Sequence, residues 1–346
     1  MRIHWFIATG SIWLIAHLII ATAYSEPKSD DRSFFVAGYL PDYRFYIDLN
    51  ETAVFFTDLH LFSIAPAPGG SLLEHCCLDA SHYEKARQAV AFKKQLGSRG
   101  SYRSSLQLWV TLGGGGRSSG FSSIGKDPDA QRQFLTALVQ LVKDQELFGV
   151  DFDCEEFSGQ QDFRNYLKLI LQAADVLHQA NVQVSVALHA GQVLPYQVYS
   201  IIDRIHLMAY DMLTGEYHAS QTAVKEAVDG LLESGCPAHK IVLGIPAYAR
   251  HYQTPTNVMT FAEIVDSVEV LADNFYAQGE WEGFRYDSPK RIAAKVDYAK
   301  QMGLGGVFFW ELGQDKQHSS ARGGILLESA ARSASETLLA PKNEEL

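Results

Sequence analysis

Short apolar runs alternate along the chain with longer stretches whose apolar residues recur every three to four positions. The runs are Phe34–Leu40, Leu59–Ala65, Leu106–Leu112, Phe148–Glu155, Gln183–His189, Arg204–Tyr210, Ile241–Ala247 and Gly306–Glu311. Each is rich in Val, Ile, Leu or Phe and is short, which suits strands buried on both faces of a parallel sheet. The periodic stretches predict amphipathic helices at Ser81–Leu96, Ala130–Gln145, Gln161–Gln179, Thr222–Glu233 and Pro289–Met302. Asp127 before Pro128 and Ser288 before Pro289 each place a capping residue ahead of a proline at the first helical position. Eight strands alternating with helices predict an α/β fold, a single (β/α)8 TIM barrel over residues 33–318. The alternative, a doubly wound nucleotide-binding sheet, wants a Gly-rich turn after its first strand, and Pro41-Asp42-Tyr43 stands there instead. The run Gly113–Gly116 follows the third strand and lacks the Lys-Ser/Thr of a phosphate loop. It reads as a flexible loop, or as backbone kept low so that a ligand can approach.

Composition narrows the class. The chain has 346 residues, 47% hydrophobic and 20% charged, which argues against disorder, collagen and coiled coil. A net charge of −11 argues against nucleic acid or an acidic membrane face as a partner. At the amino end a basic start is followed by an almost wholly apolar Trp5–Ile20 and by Ala21-Thr22-Ala23. This reads as a secretory signal peptide over residues 1–23, and the mature protein is expected to be secreted and monomeric. An uncleaved signal anchor is the alternative, since the run approaches spanning length. No later segment is apolar enough to cross a bilayer.

The four cysteines, Cys76, Cys77, Cys154 and Cys236, show no zinc spacing and read mostly as buried thiols, with room for one bridge. Asn50-Glu51-Thr52 is a glycosylation sequon. Residues 319–346 are expected to form a terminal helix, Ala330–Leu339, and an acidic tail. Its closing Asn343-Glu344-Glu345-Leu346 is similar to an endoplasmic-reticulum retention address, though a solvated tail is the preferred reading.

In a barrel, function sits at the carboxyl ends of the strands. Strand side chains alternate between faces, so Asp151, Asp153 and Glu155 share one face while Phe152 and Cys154 point to the helices. Three like charges lining the lumen are costly, and at least one must keep a proton, as a general acid requires. Salt bridging is the bland alternative, but no Lys or Arg lies between Asp144 and Gly159. Glu156 competes with Glu155 for the acid role and is on the wrong face. His189, at the end of the fifth strand, reads as a satisfied histidine.

The segment Phe148-Gly149-Val150-Asp151-Phe152-Asp153-Cys154-Glu155 resembles the Asp-x-x-Asp-x-Asp-x-Glu signature of glycoside hydrolase family 18, the chitinase family. Thr111-Leu112-Gly113-Gly114, Met208-Ala209-Tyr210-Asp211 and Gly306–Glu311 resemble three further motifs of the family, in order. Phe148 replaces the first acid, leaving Asp151 alone to buffer Asp153. Cys154 replaces the usual Trp and Thr111 the usual Ser. The segment between the seventh and eighth strands lacks room for the α+β lobe of deep-cleft members, so a shallow, open cleft is expected.

The resemblance implies a retaining, substrate-assisted hydrolysis of β-1,4-linked N-acetylglucosamine polymers, chitin or related glycans. It assigns Glu155 as acid/base and Asp153 as the residue that orients the N-acetyl group. Asp151 tunes Asp153, and Tyr210 donates to the N-acetyl carbonyl. It places Trp310 under the sugar, with Asp211, Gly113 and Gly114 at the site. Met208 is expected to line the cleft and Arg250 to contact sugar. Tyr39, Tyr43, Trp281 and Tyr286 are candidates for an aromatic track. No motif demands a metal or cofactor. The rivals are a chitinase-like lectin, whose known members usually lack the Glu found here as Glu155, and an endo-β-N-acetylglucosaminidase acting on N-glycans.

Overall fold

The computed structural model describes residues 34–72, 77–97, 105–212, 218–267, 279–317 and 324–336. Eight parallel strands close on themselves: β1 (Phe35–Pro41), β2 (Asp58–Ile64), β3 (Gln107–Gly113), β4 (Gly149–Asp153), β5 (Gln183–His189), β6 (Arg204–Met208), β7 (Ile241–Pro246) and the last strand, Gly306–Trp310. That last strand pairs with β1 on one side and β7 on the other, which shuts the barrel. The expected (β/α)8 architecture is the one observed. The five expected helices are present at Ala80–Gly97, Pro128–Asp144, Gln160–Gln179, Gln221–Glu233 and Pro289–Gln301. Asp127 and Ser288 cap two of them through their side chains, each ahead of a proline in the first turn.

Why the strands read as continuous apolar runs is clear from their burial. All seven residues of β2 and all five of β4 are buried, because helices cover one face and the lumen takes the other. The outer core is aliphatic and aromatic, with Phe152 and Cys154 in it. The lumen is different, built from Ala37, Tyr39, Phe62, Met208, Tyr210 and Phe308 around polar groups. At its floor Asp58 accepts hydrogen bonds from the Trp109 indole at 2.9 Å and from Arg204 at 2.8 Å. Gly149 makes room for that indole, since a Cβ there would come within 2.2 Å of the Trp109 ring.

The segment between the seventh and eighth barrel strands holds no large insertion among its described residues, but it is not bare. Between β7 and the last barrel strand lie β8 (Tyr248–His251), β9 (Val258–Thr260), β10 (Glu280–Trp281) and β11 (Phe284–Arg285), an antiparallel sheet in the order β10-β11-β8-β9, with a helix at Phe261–Ser267. A small α+β lobe therefore exists. Strands of two to four residues are too short for alternation to register, which is why the sequence reading passed over it. The last barrel strand is β12 in this numbering.

The terminal helix spans Ile325–Ser335, starting earlier than expected because Asp315 accepts hydrogen bonds from the Leu326 and Leu327 amides and so caps its first turn. No helix among the described residues is long and apolar enough to cross a membrane. The signal-peptide and tail expectations, and Cys76, fall outside the described residues. Cys77 is exposed and Cys154 and Cys236 are buried, all three free, with burial pushing the latter two thiols up to about 12.

Candidate active site

The acids form a column that runs from the middle of the lumen to its mouth. Asp151, wholly buried, accepts from Ser185 at 2.6 Å on one oxygen, and from Tyr39 at 2.8 Å and Thr111 at 3.2 Å on the other. Burial raises its pKa to about 6, with those three hydrogen bonds pulling against it. Asp153 is buried next along the column. Burial, and then the charges of Glu155 and Asp151, hold its pKa well above the carboxylate range. Its Oδ1 has no hydrogen-bond partner among the described residues. Like-charge crowding therefore bears on Asp153, in the middle of the column, and favours its protonated form.

Glu155 lies just past the end of β4, its side chain 27% exposed. Its Oε1 is 3.6 Å from where a Gly115 Cβ would stand, and its Oε2 is 3.3 Å from His189 Nε2. Glu156 is exposed and is not among the residues that line the cleft.

Above the column opens a cleft of 270 Å³. Asp153, Glu155, Met208, Tyr210, Asp211 and Trp310 line it, with Tyr39 and Phe308 deeper and Tyr43 at the rim. The Trp310 ring is held edge-on by Phe62, centroids 4.6 Å apart, and leans on Tyr39 at 5.7 Å. Burial raises the Tyr210 phenol well above its usual pKa, aided by Tyr248 and Asp153, so it stays a hydrogen-bond donor. Carboxyls, a phenol and an aromatic platform in one cleft suit a polar ring with flat apolar faces, such as a sugar.

The comparisons with known proteins agree. The model of Glycosyl hydrolases family 18 matches residues 69–315. The chain belongs to this family. Among relatives, Endochitinase 1 of Metarhizium robertsii is 24% identical over 61% of this chain, which spans 62% of that protein. Class V chitinase CHIT5 of Lotus japonicus is 22% identical over 90% of this chain and 91% of its own length. The fold is shared with the GH18 chitinase ChiB of Flavobacterium johnsoniae, TM-score 0.73 at 24% identity, covering 88% of this chain and 94% of that one. It is shared also with a GH18 chitinase from Cycas revoluta solved with (GlcNAc)3, TM-score 0.70 at 22% identity, covering 86% and 99%.

Several residues of this family 18 chain stand elsewhere than expected. Arg250 does not line the cleft. Its Nε lies 2.5 Å from one Asp211 oxygen and its Nη2 2.6 Å from the other, and Tyr248 donates to the same carboxylate at 2.7 Å. Burial works to raise the Asp211 pKa, but hydrogen bonds from His218, Arg250 and Tyr248 outweigh it and hold the carboxyl well below its usual range. Arg250 is therefore a brace for Asp211. Gly113 and Gly114 sit behind the cleft wall at φ near +98° and +95°. A Cβ on Gly113 would lie 2.1 Å from the Asp153 carbonyl oxygen, and one on Gly114 2.2 Å from the Phe62 ring. They let the third strand approach the acid column closely, and Gly115 is the one that faces the cleft. Tyr286 is buried in the outer core and Trp281 packs against that core, so neither extends an aromatic track.

The family departures are absorbed locally. Thr111 delivers its hydroxyl to Asp151 as a Ser would. Phe148 lies one residue before β4, at the opposite end of the barrel from Glu155, with its ring against Trp109 at 5.7 Å. Asp151 is not left alone, since Tyr39, Thr111 and Ser185 hold it.

The sequence reading underrated His189, which faces Glu155, and missed Phe62, Arg117, His60 and His206. The alternation rule applied to β2 and β6 puts His60 on the face of Phe62, and His206 on the face of Met208. His60, Asp151 and His206 bring ligand-type atoms within 4.8 Å of one another, the one such grouping among the described residues. Both Asp151 oxygens are already hydrogen-bonded and His206 Nδ1 faces the Tyr39 hydroxyl at 2.5 Å, so the grouping reads as a hydrogen-bonded network.

Proposed function

We propose that this chain is a secreted, monomeric chitinase that hydrolyses β-1,4-linked N-acetylglucosamine polymers with retention of configuration. The observation that carries the reading is Glu155 and the buried Asp153 lining one cleft, with crowding by Glu155 and Asp151 adding to burial in holding the Asp153 pKa well above the carboxylate range. Glu155 protonates the glycosidic oxygen. Asp153 turns to the substrate's N-acetyl group and orients it, so that its carbonyl oxygen attacks the anomeric carbon. Tyr210 donates to that carbonyl, and Asp151 tunes Asp153. Trp310 stacks under the ring, Met208 fills the space beside it and Asp211 bonds a sugar hydroxyl. Glu155, now a carboxylate, takes a proton from the water that opens the intermediate.

The discriminating assay sets soluble chitin against a high-mannose glycoprotein. Cleavage of chitin with an untouched glycoprotein is expected. The reverse result would make the chain an endo-β-N-acetylglucosaminidase, and binding without cleavage of either would make it a lectin.

The brace on Asp211 gives a further expectation. Arg250→Ala removes both arms of a charge-assisted fork and leaves Asp211 held by Tyr248 and His218 alone. KM for chito-oligosaccharide should rise about tenfold with a smaller change in kcat, as for loss of substrate positioning. Arg250→Lys, which keeps the charge and loses the fork, should fall between. Steady-state kinetics on the two variants check this.

A further inference from the structure

Beneath the acid column the Tyr39 hydroxyl stands between two groups. It lies 2.8 Å from Asp151 Oδ2 and 2.5 Å from His206 Nδ1. All three side chains are buried to within a few per cent of complete. A phenol has one proton to give. If Asp151 is a carboxylate, the Tyr39 proton goes to it, and the Tyr39 oxygen can then accept from His206 only if the imidazole carries its hydrogen on Nδ1. If Asp151 is an acid, it donates to Tyr39, Tyr39 donates to His206 Nδ1, and the imidazole hydrogen sits on Nε2. The imidazole tautomer and the charge of Asp151 are therefore the two ends of one hydrogen-bonded chain.

The rest of the surroundings leave that tautomer to Tyr39. His206 Nε2 has no hydrogen-bond partner among the described residues. Its ring stacks on Phe308 from β12 at 5.2 Å and meets the His60 ring from β2 edge-on at 4.7 Å. The titratable and charged groups that face it are Tyr39, His60 and Asp151, with Arg204 on its own strand. Burial, and then Arg204, hold the imidazole well below its usual pKa, so it is neutral and one tautomer or the other.

We propose that His206 is a positioning residue for the reaction. With its hydrogen on Nδ1 it donates to Tyr39, commits the Tyr39 proton to Asp151, and so holds Asp151 as the carboxylate. The shared proton is then left on Asp153, between Asp151 and Glu155, and a free Asp153 oxygen can accept from the N-acetyl N–H. The arrangement follows the logic by which a buried acid fixes a histidine tautomer in a hydrolase triad, run in the opposite direction. This rests on the family 18 reading of Asp151 and Asp153 for its catalytic meaning, but the chain of hydrogen bonds is a property of the unliganded protein.

The test has two parts. Nitrogen-15 NMR of the imidazole in the wild-type protein is expected to show His206 neutral with its hydrogen on Nδ1; an Nε2–H tautomer overturns the proposal. Carbon-13 NMR of the Asp151 carboxyl is expected to titrate about one pH unit higher in His206→Phe, where the donor is lost and the ring volume kept. A smaller shift is expected in His206→Asn, whose amide can still donate. In a Tyr39→Phe background, His206→Phe should add nothing. With chito-oligosaccharide, kcat should fall about tenfold in His206→Phe, with KM within about twofold. An unchanged Asp151 titration in a folded His206→Phe overturns the proposal, as does full additivity with Tyr39→Phe. If His206→Phe does not fold, His206→Asn and Tyr39→Phe carry the same comparison. Should the wild type fail to cut chitin, the chitinase reading falls, while the NMR arms still decide the role of His206.

Discussion

Glu155→Gln is expected to lower turnover on chito-oligosaccharides by about 10²–10⁴, the usual contribution of a general acid–base group. The side chains are nearly isosteric, so the cleft keeps its shape, and the amide can still hydrogen-bond to the His189 imidazole 3.3 Å away. What is lost is the proton for the leaving oxygen and the base for water. Binding of oligosaccharide, measured by calorimetry on the inactive variant, should therefore survive. Glu156→Gln is the control. Glu156 is exposed and does not line the cleft, and its replacement should be nearly neutral. A crippled Glu156→Gln beside a healthy Glu155→Gln would reverse the assignment of faces on which the mechanism stands.

The second large effect concerns the substrate. Since no carboxylate is assigned as the nucleophile, the N-acetyl group must supply it. Fully deacetylated chitosan and cellulose are then expected to be inert, a loss of at least several hundredfold against chitin of equal length, because the intramolecular attack has no replacement. Two displacements at one carbon return the original configuration, so proton NMR on a fresh digest should show the β anomer first. Initial α product, or brisk cleavage of cellulose, would mean that water or a carboxylate attacks directly, and the roles given to Asp153 and Tyr210 would go with it.

The barrel was legible in the sequence because burying a strand on both faces writes a dense apolar run, and eight such runs were each placed within two residues. The acid column was legible for the same geometric reason, since period two on β4 sorts Asp151, Asp153 and Glu155 from Phe152 and Cys154. What stayed hidden depended on contacts between distant segments. Arg250 looked like a sugar contact because nothing local reveals that Asp211, 39 positions earlier, folds back onto it. Gly113 and Gly114 looked like ligand contacts because a glycine needed for packing and one needed for a ligand are spelled alike. The Tyr39–His206 pairing joins residues 167 positions apart and leaves no trace in either neighbourhood.

Tyr248 and Arg250 sit two residues apart on β8 and grip one carboxylate, so a single alignment of that strand sets both contacts. Slipping β8 by one residue would turn both side chains away together. One residue gained or lost between Pro246 and Tyr248 would therefore disconnect Asp211 from its support. The first strand of the lobe is thus held to a fixed frame by a carboxylate that lies outside the lobe.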